Sequence, residues 1–342
     1  MPETTILDIV ALCRNADQMA LKVYATLGRA CDDKELSKFW NRMCKEESEH
    51  VLFWRRSEEI CVGLEATDLF RDPDKVAEEL RGSLAKCDGM RGLNKEGLDV
   101  PDAFTLSYRL EFYLLHPAFA MLFEMLRQAT GQTCPADTYE AHIDAFVEML
   151  AKHGGTPQLE LLGETLRRLW IDNKRLVVES THDHLTGILN RRGFFAISVQ
   201  LANLAQRTNS MMAIMMIDLD HFKAINDRFG HQAGDNVLRG VAKRLSETFR
   251  DSDLVARYGG EEFIIMFASI GENAVESLAE ELRRTIEETP PEGIPLTISA
   301  GITYGVPGKD VRAGLQHLIQ EADEALYRAK EAGRNRVVKH ER

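Results

Sequence analysis

The sequence predicts a multidomain chain of α and α+β parts: a helical bundle over residues 1–156, a linker helix over 157–181 and an α+β domain over 182–342. Three observations predict it. Apolar residues recur three and four positions apart through most of residues 5–181, which is the period of a buried helix face. From residue 211 onward, short apolar runs bounded by glycine alternate with helical patterns, in the order strand, helix, strand, strand, helix, strand. The two parts also differ in composition. Residues 1–180 hold 22 basic and 31 acidic side chains and all six cysteines, while residues 181–342 hold 20 and 23 and no cysteine. A chain of 342 residues has room for about two cores.

The bounds exclude several classes. A net charge of −12 argues against a nucleic-acid partner, which would select a basic face. The N-terminus shows no basic stretch followed by an apolar run. Met211–Ile217 is among the longest purely apolar runs, far short of the roughly 20 residues that span a bilayer. The expectation is a cytoplasmic protein with no membrane partner. Cysteines there remain free, and the chain has no CxxC pair to hold zinc. Cys13, Cys31, Cys44, Cys61, Cys87 and Cys134 then read as small apolar core residues, with redox sensing as the sharper alternative.

The first helix, residues 5–29, carries Ile6, Ile9, Cys13, Ala16, Ala20, Val23 and Leu27 on one stripe. The second, 34–64, carries Leu36, Trp40, Met43, Glu47, His50, Trp54, Ser57, Cys61 and Leu64. Residues 65–101 hold one short helix from Pro73. Residues 102–126 align Phe104, Tyr108, Glu111, Leu115, Ala118, Leu122 and Met125, with Pro117 expected to kink the helix or start a new one. Residues 137–153 align Tyr139, His142, Phe146, Met149 and His153. Glu47, His50 and Glu111 thus occupy core registers, where a carboxylate is costly unless paired or bound to metal.

Glu47 and His50, three residues apart, project together, and a lone Glu111 comes from another helix; inward ExxH and Glu are the parts of a di-metal carboxylate site. The string Glu46-Glu47-Ser48-Glu49-His50 resembles the EExxH of rubrerythrin and ferritin-like four-helix bundles. The resemblance implies an iron or other di-metal centre. It also expects a Glu on the first helix, where this chain has only Asp17 or Gln18, and a second ExxH on the last helix. There the chain has Glu148 and His153 at a different spacing, plus His142. A hydrogen-bonded Glu–His pair in a bundle core, or a solvated helix face, stands beside the metal reading.

In the linker, Leu159, Leu162, Leu166, Leu169, Asn173 and Leu176 alternate three and four apart, an a/d seam of about three heptads. Asn173 falls on an a position, which favours a parallel pair, so a coiled-coil homodimer is expected. A single amphipathic helix docked on a domain is the alternative.

In the last part, 211–217, 254–258, 262–267 and 296–304 read as strands, and about 234–249, 272–289 and 312–332 as helices. Gly259-Gly260 joins the middle strands in a hairpin. The order βαββαβ is the ferredoxin-like split unit. Asp218 and Asp220 end the first strand, and Glu261 and Glu262 lie at the hairpin, so the carboxylates are expected to gather on one edge. Clustered carboxylates without His or Cys suit Mg2+ ions that also hold phosphates.

Arg257-Tyr258-Gly259-Gly260-Glu261-Glu262-Phe263 resembles the signature of GGDEF diguanylate cyclases. Further blocks agree in order: Asp183 to Arg192, Asp218 to Asp227, Gly230-His231 with Gly234-Asp235, and Ala322-Asp323 through Lys330 to Gly333-Arg334-Asn335. The resemblance covers roughly 180–340 and implies condensation of two GTP into cyclic di-GMP across two facing half-sites. It implies Asp218, the Leu219 carbonyl and Glu261 as ligands for two Mg2+ or Mn2+ ions per GTP, and Glu262 as ligand or base at the attacking hydroxyl. Asn226 and Asp235 would recognise guanine. Lys330, Arg334, His231 and the amides near Phe222 and Lys223 would hold the rest of the nucleotide. Arg250 and Asp253, with Arg283 as a secondary contact, fall where the family binds product as inhibitor. The alternatives are a catalytically inactive module that only binds GTP or cyclic di-GMP, and a ferritin-like metal protein with a signalling output.

Overall fold

The computed structural model describes residues 4–61, 65–88, 99–130, 135–153, 156–250, 252–268, 270–271 and 274–341. Leu64, Cys134 and Asp251 lie outside them. The chain divides into two compact units, Met1–Val177 and Val178–Arg342.

The first unit is helical: α1 (Ile6–Ala30), α2 (Lys34–Ile60), α3 (Pro73–Asp88), α4 (Val100–Leu114), α5 (Pro117–Thr130), α6 (Pro135–His153) and α7 (Pro157–Thr181). Capping residues set the starts. Thr5 and Asp8 form a reciprocal box at α1, and the carboxylates of Asp33 and Asp99 accept from the first-turn amides of α2 and α4. Pro117 starts a new helix rather than kinking one: α4 ends at Leu114 and α5 begins at Pro117. α1 packs along α2, α3 and α4 pack against α1, and α6 packs on α2. Aromatic rings of Trp40, Phe39, Phe104 and Phe146 fill one part of the core, and Trp54, Phe119 and Phe123 another.

The reading of α7 as a coiled-coil seam needs correction. Leu159, Leu166, Trp170 and Asn173 are buried in the unit, while Leu162 and Leu169 are half-buried and Leu176 is exposed. Trp170 packs on Tyr139 of α6 with the rings tilted by 39°, and Arg167 and Lys174 pair with Asp144 and Glu140. Asn173 donates its amide to the Leu115 carbonyl. α7 therefore docks on the helical unit along a face centred between Leu166 and Trp170, and Asn173 has an intrachain partner.

The second unit holds β1 (Leu189–Asn190), α8 (Arg191–Thr208), β2 (Met212–Leu219), α9 (Phe222–Phe229), α10 (His231–Thr248), β3 (Leu254–Arg257), β4 (Glu262–Phe267), α11 (Ala274–Glu288), β5 (Ile298–Gly305), α12 (Val311–Glu331) and β6 (Val337–Lys339). The expected βαββαβ core is present, extended by α8, α9 and the short edge strands β1 and β6. The sheet order is β1-β3-β4-β2-β5-β6. β2 lies centrally, antiparallel to β4 and β5, and every residue of it is buried. Because side chains alternate along a strand, Ala213, Met215, Ile217 and Leu219 join the core made with α10 and α11. The alternate residues, Asp218 among them, face α12, which packs on β2 and β5. The close approach is made at Gly301: a Cβ there would lie 2.1 Å from the Leu326 amide nitrogen.

Candidate functional site

In the helical unit, Glu47, His50 and Glu111 are all buried, and two residues join them from other helices, Asp17 of α1 and His142 of α6. They form two groups. Ligand atoms of Asp17, Glu47 and His50 lie within 4.8 Å of one another, as do those of Glu47, Glu111 and His142. Glu47 Oε2 lies 3.3 Å from His50 Nδ1, and His142 contacts Glu111 Oε1 at 3.0 Å and Glu46 at 2.8 Å. Trp54 donates to Asp17 at 2.6 Å, and Tyr24 donates to Glu111. Among the described residues no Lys or Arg pairs with Asp17, Glu47 or Glu111. Burial is the largest influence on the carboxyls of Asp17 and Glu47. It pushes Asp17 well up and Glu47 to about 8, and drives His50 down to about 4. Burial also opposes charge on His142, but Glu111, Glu46 and Glu47 outweigh it and raise that imidazole. His153 is half-buried and pairs with exposed Glu35, outside the cluster.

Four of the described cysteines have thiols that burial raises. Cys13, Cys31, Cys44, Cys61 and Cys87 are free. Burial raises the thiols of Cys13 and Cys44, that of Cys61 to about 12 and that of Cys87 to about 11, so the reactive thiolate is scarce at these four positions.

In the second unit, strand register brings the acids together. Asp218 is paired with Glu262 across β2 and β4, and the Leu219 amide donates to the Glu261 carbonyl at 3.3 Å. Lys330, in the last turn of α12, reaches Asp218 Oδ2 at 2.8 Å. Burial raises the Asp218 carboxyl against the pull of Lys330, and burial followed by the charge of Asp218 raises Glu261. The hairpin is clamped from behind. Arg257 donates to the Gly260 carbonyl at 2.7 and 3.1 Å and to both oxygens of Asp183 at 3.0 and 3.1 Å. Asp183 in turn holds the hydroxyl and amide of Thr186.

Asp220 departs from the expected cluster. Its carboxylate accepts from Thr297, Ser299 and the Asn335 amide, which ties the ends of β2 and β5 to the loop after α12. Asp218, Glu261 and Glu262 remain as neighbouring acids, Asp218 and Glu262 by strand register and Glu261 through the charge of both. Asn226 of α9 lies over α10, where a Cβ on Gly234 would meet its Oδ1 at 1.9 Å, and Asp235 follows Gly234. Phe222 is buried, while Lys223, His231 and Arg334 are exposed. Arg334 adopts a left-handed conformation with φ of 62°. The Arg250 amide donates to Asp253 at 3.1 Å and its side chain is exposed. Arg283 is already committed, to Glu280, Glu287 and Asn335. Asp183 and Arg257 stood in the motifs as signature residues; their ion pair, which fixes the hairpin, carries no period or spacing that would reveal it.

Residues 180–336 match the family model described as diguanylate cyclase, GGDEF domain. Diguanylate cyclase A of Treponema denticola is 36% identical over 181 residues, 51% of this chain and 48% of the relative. Diguanylate cyclase DgcM of Escherichia coli is 33% identical over 206 residues, 59% of this chain and 48% of the relative. A solved structure of the coiled coil and GGDEF domain of DgcB from Caulobacter crescentus, in complex with c-di-GMP, is 29% identical, covers 53% of this chain and 97% of that one, and has a TM-score of 0.49. The chain spans about half the length of the curated relatives named here. The signature hairpin, the paired acids and the family match fall on the same residues, so residues 180–336 of the chain are a GGDEF domain.

Proposed function

We propose that the second unit condenses two GTP molecules into cyclic di-GMP and two pyrophosphates, working as a homodimer in which two copies present facing half-sites. The convergence of Asp218, Glu261 and Glu262 beside Lys330 carries this reading. Three neighbouring carboxylates where the central strands β2 and β4 meet the hairpin suit hard divalent cations, and Lys330 already pairs with one of them, Asp218, at 2.8 Å. Asp218, the Leu219 carbonyl and Glu261 would hold Mg2+ or Mn2+. When bound, such ions make the attacking hydroxyl more acidic and offset charge on the leaving pyrophosphate. Glu262 accepts the proton of the ribose 3′-hydroxyl as that oxygen attacks the α-phosphorus of the opposite GTP. Asn226 and Asp235 bind guanine, whose N1–H and amino group a carboxylate can accept together. Lys330, Arg334, His231 and the amides at Phe222 and Lys223 hold phosphates. Arg250 and Asp253 bind cyclic di-GMP as inhibitor; Arg283 contributes only if it releases an acidic partner.

The helical unit is the regulatory input, with Glu47, His50 and Glu111 as metal-holding residues. Their support is the burial of carboxylates that, among the described residues, no Lys or Arg neutralises. Turnover is tested by pyrophosphate release and chromatography of the nucleotide product. The wild-type chain should form cyclic di-GMP, and Glu262→Gln should lower kcat about 10²- to 10⁴-fold with GTP binding kept. GTP binding without pyrophosphate release in the wild type would favour an inactive binding module instead.

A further inference from the structure

We propose that the helical unit holds two divalent transition-metal cations side by side, bridged by Glu47: one on Asp17, Glu47 and His50, the other on Glu47, Glu111 and His142. The proposal deepens the metal reading of Glu47, His50 and Glu111 and rests on it. Each trio places its ligand atoms within 4.8 Å of one another, the span of one coordination shell, and all five residues are buried. Four helices contribute: α1, α2, α4 and α6.

The hydrogen bonds leave a consistent remainder. Asp17 has one oxygen held by the Trp54 indole, and Glu111 has one held by Tyr24 and His142. Glu111 Oε2 is buried with no hydrogen-bond partner, and so is Glu47 Oε1. Buried orphan oxygens are costly, and a cation removes the cost. The two oxygens of Glu47 diverge. Oε2 faces His50 Nδ1 at 3.3 Å, and Oε1 faces His142 Nε2 at 3.6 Å, so one carboxylate addresses both trios. Glu46 holds His142 Nδ1 at 2.8 Å, which directs Nε2 inward as an outer carboxylate does for a ligand imidazole. Charge favours the cations as well: Asp17, Glu47 and Glu111 bring three buried carboxylates to the two trios, while Glu46 is already paired with Arg42 at 2.8 Å. Mixed imidazole and carboxylate donors select Fe(II), Mn(II) or Zn(II) over Mg2+ and Ca2+, which take oxygen alone, and over Cu(I), which prefers sulfur.

The test is metal stoichiometry of the full chain. Chelator-stripped protein is dialysed against Mn(II) or Co(II) with excess Mg2+ to saturate oxygen-only sites, then counted by mass spectrometry. Helical content by circular dichroism controls for folding. Two equivalents per chain are expected, with an exchange-coupled Mn(II) signal in electron paramagnetic resonance. Glu47→Gln should lose the coupled signal and at least one equivalent; His50→Ala and His142→Ala should each retain one. A single equivalent in the wild type overturns the bridged pair and keeps the metal reading. No bound metal overturns both. Two equivalents with an unchanged signal in Glu47→Gln overturn the bridge. None of these readouts depends on GTP turnover.

Discussion

Gly259 shows how one absent side chain positions an acid. A Cβ there would meet Glu262 Oε2 at 2.5 Å. The backbone does not require glycine, because its φ is not in the left-handed region. The obstacle is the end of a flexible carboxylate, so Gly259→Ala should cost the fold little and displace Glu262. We expect stability within about 1 kcal/mol of the wild type. Cyclic di-GMP synthesis should fall about 10²-fold, the usual effect of a small misplacement at a reacting centre. Unchanged turnover would mean that the Glu262 carboxylate does not act from this position. The signature Gly259-Gly260-Glu261-Glu262 was legible as a string, but this reason for the first glycine was not, since it depends on where one rotamer points. Asp17 was obscured differently. From Cys13, a step of three leads to Ala16 and a step of four to Asp17, and both obey the helical period. Packing chooses the step of four, and with it a buried carboxylate facing Glu47 and His50.

Helix α7 shows the same ambiguity over a whole element. Leu159, Leu166 and Asn173 recur as a seam for another helix would, yet the same spacing serves a helix lying on its own domain. Trp170 was the available signal. It falls between seam positions and widens the apolar face toward α6. The central strands and the longer helices were legible because each has a period and a glycine or cap at its end. The strands β1 and β6, of 2 and 3 residues, are too short to show a period. The docking of α7 makes a claim of its own. Asn173 donates to the carbonyl of Leu115, which lies at the break between α4 and α5. Asn173→Ala leaves that carbonyl without this donor and should cost about 1–3 kcal/mol. Urea unfolding followed by circular dichroism reads the loss, and sedimentation reads the oligomeric state. A variant of unchanged stability but altered oligomeric state would assign Asn173 to pairing between chains instead.

Over the whole molecule, the composition asymmetry maps onto two separate cores. The cysteine-bearing unit up to Val177 has its aromatic helical core, and the cysteine-free unit from Val178 has its six-stranded sheet. Two cores with different ligand chemistry should not unfold as one two-state system. Calorimetry of the full chain should resolve two transitions, and each ligand should move one of them. A ligand that binds only the folded form stabilises by RT ln(1 + [L]/Kd), about 2.7 kcal/mol at a hundredfold excess over Kd. For a unit of this size that corresponds to a rise of about 5–10 °C. Mn(II) supplied with excess Mg2+ should raise the transition of the helical unit and leave the other in place. A nonhydrolysable GTP analogue with Mg2+ should do the reverse. The assignment is checked on Glu47→Gln, which should lose most of the first shift, and on Asp218→Asn, which should lose most of the second. The sign matters in Glu47→Gln without metal. Burial raises Glu47 to about 8, so above the ordinary carboxylate range the metal-free fold bears a cost that a neutral amide avoids; the metal-free midpoint should hold or rise, and a variant more stable without metal and less responsive to it is the expected pattern. A single transition shifted by both ligands would show that the two units unfold together, and the division of ligands between them would then have to be read by another route.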